Sequence, residues 1–358
     1  MVERLLLIGS ASVHTWRYLA GIAPHVGRIY LVCNTDVPPE RRPANLAGTL
    51  TVDFGLKALR TAGRIRDWAR RIEPDMVHVH QANSVAWHAV RALQGCPAPL
   101  VLSAWGSDVL LLPRQNALMR RMVSTNLAAA SVVTSDSLHM AAVIRELAGE
   151  GPAIKVLNFG MDALPPEPDF VSRPRRVLSC RLHKPLYRID AILRAWRDVE
   201  NDNRFADWSL TVAASGEETD SLKALAASLT LQRVSFTGFV KTDVLAGLYR
   251  DSRVFVSVPS SDATSISLLE AMGHGCLPVL SNLPANGEWV IDGLNGKIVE
   301  DIATLSVPLR EAMLMAEDGN ALERIAAINR NLVAAKALHE PNMRRFAEIY
   351  ASLQSRSE

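Results

Sequence analysis

Along this chain, short runs of apolar residues alternate with longer stretches in which apolar positions recur every three or four residues. Residues 4–8, 28–33, 76–79, 100–103 and 131–134 read as strands, and helical spacing follows each of them. A second series of apolar runs covers 176–180, 209–213, 234–237, 253–258 and 277–280. Strands that are apolar on both faces and are separated by amphipathic helices predict parallel sheets wound on both sides. Between the two series lies the proline-dense stretch 163–169, Ala-Leu-Pro-Pro-Glu-Pro-Asp, which can continue neither element and so reads as a linker. Near the end, Met343, Phe346, Ile349, Tyr350 and Leu353 form a helical stripe that must dock on something.

Composition narrows the class. At 358 residues the chain is too long for one core of ordinary size, so two domains are expected. A formal charge of +2 gives no general signal for polyanions, and nucleic acid is not implied. Cys33, Cys96, Cys180 and Cys276 are widely spaced, with no Cys-x-x-Cys. That fits reduced thiols in a cytosolic protein better than disulfides or a zinc site. The apolar run at the start is too short for a signal peptide, and no segment approaches 18 apolar residues, so an integral membrane protein is not expected.

The richest stretch is 262–270, Asp-Ala-Thr-Ser-Ile-Ser-Leu-Leu-Glu, which runs into Ala-Met-Gly-His-Gly-Cys-Leu-Pro-Val. Eight residues of helix rise about 12 Å, comparable to the span from a hexose across a diphosphate to a ribose. On one helix the two carboxylates would differ by about 80°, so Asp262 belongs in the preceding loop and Glu270 inside the helix. Thr264 and Ser265 are good N-cap residues, and the first-turn N–H groups after them are a natural seat for a diphosphate. Gly273 and Gly275 are expected to stop the helix.

Taken together, Pro259-Ser-Ser-Asp262 through Leu-Leu-Glu270-Ala-Met-x-x-Gly275-x-Pro278-Val resembles the E-x7-E segment of the retaining GT-B glycosyltransferases of family 4. The resemblance implies that Asp262 bonds hexose hydroxyls, that Glu270 bonds ribose, and that Thr264, Ser265 and Ile266 offer backbone amides to sugar and phosphate. Asp262 stands where the family usually has Glu, one methylene shorter, and Asp-Ala-Thr-Ser replaces the common Glu-Gly-Phe-Gly. Upstream, Val177-Leu-Ser-Cys-Arg181-Leu-His-Lys184 places cations at a strand end. Aligning the family's Val-Asp with Ile189-Asp190 sets Tyr187 and Arg188 where Lys-Gly usually stands, so the second diphosphate cation is Lys184 or Arg188. Gly216 and Gly238 resemble the family's glycine turns beside base and ribose, with plain tight turns as the alternative.

In the first half, strand alternation puts His78 and His80 on one face, with His80 at the carboxyl end. By resemblance His80 contacts the donor hexose, while His78 reads as a packed or hydrogen-bonded core residue. A metal on His-x-His is disfavoured, since no further ligand lies nearby and the family needs none. Trp105-Gly106-Ser107-Asp108 resembles a variant found in polysaccharide-building members. Gly106 would allow close approach, and Asp108 would orient an acceptor or cap a helix. Gly9 and Ser10 open a loop before a helix, which by resemblance lies beside the donor phosphate and the acceptor, so His14 is expected as an acceptor contact. Without further close-approach glycines the loop is a poor dinucleotide fingerprint.

The resemblance implies an α/β protein of GT-B fold. Two Rossmann-like doubly wound domains would face each other across a cleft, an acceptor domain at 1–164 and a donor domain at 165–340, with a helix at 341–358 crossing back to the first. The expected activity is metal-independent, retaining transfer of a hexose from a UDP-sugar, with a GDP-sugar possible, to a glycan or lipid-linked acceptor in surface polysaccharide synthesis. A GT-B epimerase and a catalytically silent nucleotide- or glycan-binding protein are the alternatives. Lys57, Arg60, Arg64, Arg66, Arg70 and Arg71 punctuate a helix whose other side carries Leu56, Leu59, Ile65, Trp68, Ala69 and Ile72. This basic face reads as solvated surface or as a contact with an anionic bilayer, which would place the protein peripherally at the cytoplasmic side of the inner membrane.

Overall fold

The computed structural model describes residues 2–170 and 172–355. The chain divides into two compact units, 1–159 with 339–358, and 160–338.

In the first unit the strands are β1 (Arg4–Ile8), β2 (Arg28–Cys33), β3 (Leu46–Thr51), β4 (Met76–His80), β5 (Leu100–Ser103), β6 (Val132–Ser135) and β7 (Ala153–Val156). They form one parallel sheet in the order β3-β2-β1-β4-β5-β6-β7. The helices are α1 (Val13–Ile22), α2 (Thr61–Ile72), α3 (Ser84–Ala92), the short α4 (Ser107–Leu110) and α5 (Leu112–Gln115), α6 (Ala117–Ala128) and α7 (Leu138–Ala148). Leu5, Leu7, Ile29, Leu31 and Met76 are fully buried in the core, as central strands with both faces covered require. The edge strands β3 and β7 were not legible as apolar runs. In β3, half-buried and exposed positions alternate, and β7 is largely exposed.

The second unit holds β8 (Arg176–Ser179), β9 (Ser209–Ala213), β10 (Val234–Gly238), β11 (Val254–Ser257), β12 (Leu277–Ser281) and β13 (Lys297–Val299). These too are parallel, in the order β10-β9-β8-β11-β12-β13. Its helices are α8 (Ile189–Glu200), α9 (Thr219–Ser228), α10 (Thr242–Arg250), α11 (Ile266–Gly273), α12 (Ser306–Glu317) and α13 (Gly319–Lys336). Met161 and Leu164 pack into a core of this unit, so the proline-rich stretch begins inside it.

The last helix, α14 (His339–Gln354), belongs to the first unit. Met343, Phe346, Tyr350 and Leu353 enter that core, and Ile349 lies at its margin. The Tyr350 hydroxyl is 2.6 Å from the Tyr18 hydroxyl and 2.6 Å from His78 Nδ1. His78 Nε2 lies 2.7 Å from Ser103 Oγ, which in turn meets Thr134 Oγ1 at 2.6 Å. His78 is thus a fully satisfied core residue that ties α14 to three adjacent strands. Among the described residues no helix is long and apolar enough to cross a membrane.

One expectation fails here. Helix α2 begins only at Thr61, so Leu56, Lys57, Leu59 and Arg60 precede it. Leu56 and Leu59 are 42% and 85% exposed rather than buried on its far side. The loop at 55–58 folds back on itself, with Ala58 N donating to Gly55 O, and that turn rotates both leucines outward.

Candidate functional site

In each sheet the strand order reverses once, between β1 and β4 in the first unit and between β8 and β11 in the second. Crevices at the carboxyl ends of strands flanking such a reversal are where open parallel sheets bind ligands, because the helices depart to opposite faces there.

At the β8/β11 reversal, Arg181 follows β8 and residues 259–265 follow β11. Arg181 is buried; its Nη1 lies 2.7 Å from Asp262 Oδ2 and donates to Ser265 Oγ at 2.6 Å. The guanidinium carbon sits 4.3 Å from the Tyr187 ring centroid. Burial works against the Arg181 charge, but Asp262 and Tyr187 outweigh it, and its pKa is raised. Asp262 stands in the loop, and Glu270 lies inside α11. Ser265 occupies the N-cap position with extended backbone, φ −76° and ψ 125°, but makes no side-chain cap bond. Its hydroxyl accepts from Arg181 instead, so the capping expected of it does not occur and the first-turn N–H groups of α11 are left without a side-chain cap. Thr264 is likewise engaged, accepting from Trp289 Nε1 at 3.2 Å.

The two candidate second cations differ sharply. Arg188 donates from Nε to Val258 O and from Nη2 to Pro259 O, both at 2.7 Å, and so fastens the end of β11. It does this from a left-handed backbone at φ 50°. Lys184 is exposed at the start of the turn before α8. Gly216 sits in a tight turn against a neighbouring loop. A Cβ there would collide with the backbone of His183, whose carbonyl oxygen also accepts from Glu218 N at 3.0 Å. Gly238 has φ 70° with open space around it and accepts from Ala214 N at 2.9 Å, and Ala214 itself holds φ 77°. These pairings serve the loops themselves.

Glu270 is half-buried, and its carboxylate acts electrostatically on Cys180 and Tyr249, whose Sγ and hydroxyl lie 3.1 Å apart. Burial, more than Glu270, pushes the Cys180 thiol up to about 11. Gly273 ends the helix, His274 follows it and donates through Nδ1 to Glu270 O, and Gly275 has φ 76°.

At the β1/β4 reversal, Gly9 and Ser10 follow β1, and His80 ends β4. His80 is fully buried among Tyr18, His78, Trp105 and Phe159, with ring centroids 4.7 to 5.7 Å away. Neither of its ring nitrogens has a hydrogen-bond partner, nor does the buried Trp105 Nε1. Burial, reinforced by His14, pushes the imidazole pKa down to about 3, so it is neutral at physiological pH. A Cβ on Gly9 would stand 3.3 Å from His80 Cβ, and Ser10 Oγ donates to Gln81 Oε1 at 2.6 Å. His14 is exposed and meets Trp105 edge-on at 5.4 Å. Gly106 takes φ 108° at the start of α4. Asp108, whose acceptor role was one of two alternatives, is buried, and its oxygens accept from Ala82 N at 2.6 Å and Trp105 N at 3.0 Å. It staples the ends of β4 and β5 together. Burial raises its pKa against those N–H bonds.

Residues 4–137 match the glycosyl transferase 4-like family model, and residues 173–313 match the glycosyl transferases group 1 model. Each unit carries a glycosyltransferase domain. The chain is similar to HepE of Anabaena, solved with UDP and glucose, at TM-score 0.79 and 17% identity over 98% of this chain and 100% of that one. It is equally similar to sucrose-phosphate synthase of Thermosynechococcus elongatus, at TM-score 0.80 and 14% identity over 99% of this chain and 100% of the other. The fold of both glycosyltransferase domains is therefore that of the GT-B enzymes. In sequence, an uncharacterized glycosyltransferase of Methanocaldococcus jannaschii is 25% identical over 167 residues, 46% of this chain and 42% of that protein. The chain thus spans less than half the length of this curated relative.

Sequence reasoning missed Tyr187 as the platform under Arg181 and Trp289 as the donor to Thr264. The first stood in a motif position where only a departure from the family was visible. The second is 25 residues from its partner, and nothing in the local pattern links them.

Proposed function

We propose that this chain is a retaining glycosyltransferase that moves a hexose from a nucleotide-sugar, a UDP-sugar before a GDP-sugar, to a glycan or lipid-linked acceptor in surface polysaccharide synthesis. The observation that carries this reading is the buried Arg181 set beside the start of α11 at the β8/β11 reversal. A cation and helix N–H groups without a side-chain cap, at the ends of two adjacent strands, supply the positive potential that a departing diphosphate requires, without a metal. HepE, similar in fold, was solved with UDP and glucose, which supports the choice of nucleotide.

In this reading Glu270 holds ribose, Asp262 and His80 hold the hexose, and Lys184, exposed beside Arg181 in sequence, is the second cation. The bond from the anomeric carbon to the diphosphate breaks. A bond from the acceptor oxygen forms on the same face, and the acceptor proton passes to the departing phosphate oxygen. The first unit is assigned the acceptor. We place the protein peripherally at the cytoplasmic face of the membrane, where lipid-linked acceptors are built. One observation favours a catalytically silent nucleotide-binding protein instead: Asp262 is paired with Arg181, and the hydroxyls of Thr264 and Ser265 are both engaged.

A thermal-shift panel of UDP, GDP, ADP and dTDP with their common sugars, run on wild type and Glu270→Ala, tests the reading. A base-selective rise in melting temperature that is lost in Glu270→Ala supports it. No rise with any nucleotide, in folded protein, sinks it. A rise without transfer to any acceptor would favour the silent alternative.

A further inference from the structure

Residues 55–60, Gly-Leu-Lys-Ala-Leu-Arg, form a loop that is tightly held yet turns its apolar side chains outward. Gly55 N donates to Asp53 Oδ1 at 2.8 Å, and His88 Nε2 donates to Gly55 O at 3.0 Å, which pins the loop to α3. Thr61 Oγ1 donates to Asp53 O at 2.6 Å and closes the far end, while Phe54 is buried beneath. A loop fixed at both ends does not swing its leucines inward. Leu59 is 85% and Leu56 42% exposed, and each leaves apolar area in water that a partner could cover.

The surroundings are basic. Residues 55–72 contain six Lys or Arg and a single carboxylate, Asp67. Lys57 and Arg60 flank the leucines within the loop, and both are exposed, as is Arg64 one turn further on. A shallow groove of about 460 Å³ joins the loop to its neighbours, lined by Leu59, Ala62, Gly63, Arg66, Arg91 and Gln94. Nothing lies within 4 Å of where a Gly63 Cβ would be, so the helix surface is flat there. Arg91 stacks 4.7 Å over the half-exposed Trp87 ring, an amphipathic pair suited to a water–lipid boundary. Arg66 is otherwise occupied, donating to the carbonyls of Ala92 and Arg91 that end α3.

We propose that residues 55–60, together with the basic surface of α2 and α3 beside them, form the docking surface of this protein for an anionic lipid bilayer. Leu56 and Leu59 enter the headgroup region, and Lys57, Arg60 and Arg64 sit on lipid phosphates. The proposal deepens the membrane-face reading above by naming the surface. Two exposed leucines with exposed cations beside them in the chain match shallow insertion, whereas a stable protein interface would bury about 1,000 Å² or more with a packed apolar centre.

The test is co-sedimentation with phosphatidylcholine vesicles and with mixed phosphatidylcholine–phosphatidylglycerol vesicles, at low and raised salt. Binding is expected only to the mixed vesicles, and it should weaken as salt screens the headgroup charge. Leu59→Asp is expected to weaken it about tenfold, from lost insertion. The double variant Lys57→Glu/Arg60→Glu should weaken it by at least about 25-fold, since each cation near an anionic surface contributes roughly fivefold. All three positions are exposed, so melting temperature should stay at the wild-type value and separates lost docking from lost folding. The rival apolar tip, Leu118 at 69% exposure between Arg114 and Arg120, supplies the control. Loss of vesicle binding in Leu118→Asp but not in the loop variants would overturn the assignment while leaving the membrane reading intact. Equal binding to both vesicle types, or a change of oligomeric state in Leu59→Asp with vesicle binding unchanged, would overturn the proposal. Failure to bind any vesicle would overturn both, and the nucleotide thermal shift would still judge the transferase reading separately.

Discussion

Asp262→Asn should weaken the folded protein and strengthen nucleotide binding at the same time. Arg181 and Asp262 are 2.7 Å apart with side chains only 10% and 21% exposed. Removing one partner of a buried pair costs about 3–5 kcal/mol when the other charge is left stranded. Here the loss is smaller, because Arg181 keeps Ser265 Oγ and the Tyr187 ring and Asp262 is partly wet; we expect about 2 kcal/mol. For a unit of this size each kcal/mol lowers the melting temperature by about 2–4 °C, so a fall of about 4–8 °C is expected. The same substitution leaves the guanidinium without its counter-charge, and a diphosphate no longer competes with a carboxylate for it. UDP should then bind roughly fivefold tighter, about 1 kcal/mol, while transfer of the hexose should fall, because the contact proposed for Asp262 with a hexose hydroxyl loses its charge. The assay is a melting series with and without UDP, on wild type, Asp262→Asn and Arg181→Ala, the last of which should lose the UDP shift. Weaker UDP binding in Asp262→Asn would refute the reasoning, since it would mean that the carboxylate positions Arg181 rather than competing for it.

Two further outcomes follow from the same structure. The His80 pKa is pushed down to about 3 in the folded chain, against about 6.5 when unfolded, so the unfolded chain binds the extra proton as pH falls. Stability is complete above about pH 6.5 and is lost progressively toward pH 3, about 2 kcal/mol of it by pH 5. Urea unfolding at pH 7 and pH 5 should show that fall and a smaller one in His80→Gln; identical slopes in the two proteins would contradict it. Gly216→Ala forces a Cβ against the His183 backbone, which cannot step aside as a side chain could. A loss of about 1–3 kcal/mol is expected by thermal unfolding, and an unchanged melting temperature would show that the Ser215–Glu218 turn is not held to His183 as described.

How much of this was legible in the sequence depends on the range of the interaction involved. Central strands such as β1, β2, β5 and β9 are apolar on both faces, so their residues announce them. The edges β3, β7 and β13 are half-exposed or only three residues long, and they form because a neighbouring strand offers its free edge. The loop position of Asp262 and the helical position of Glu270 follow from helix geometry alone, and so could be read from spacing. His78 could be read as core from strand alternation, though its partners Tyr18 and Tyr350 lie 60 and 272 residues away.

What the sequence by itself determined are the periodic elements, their order and the family-like motifs, since these rest on contacts within a few residues. Tertiary structure alone decided that Asp262 spends its charge on Arg181, that Arg188 fastens β11, and that Asp108 staples two strand ends. It also decided that Leu56 and Leu59 face outward, because a single loop turn sets that and helical periodicity cannot foresee it. A carboxylate or guanidinium looks the same in sequence whether it meets a ligand or a backbone group. Only the folded arrangement fixes its partner, because the energy of a charge depends on what surrounds it within a few ångströms.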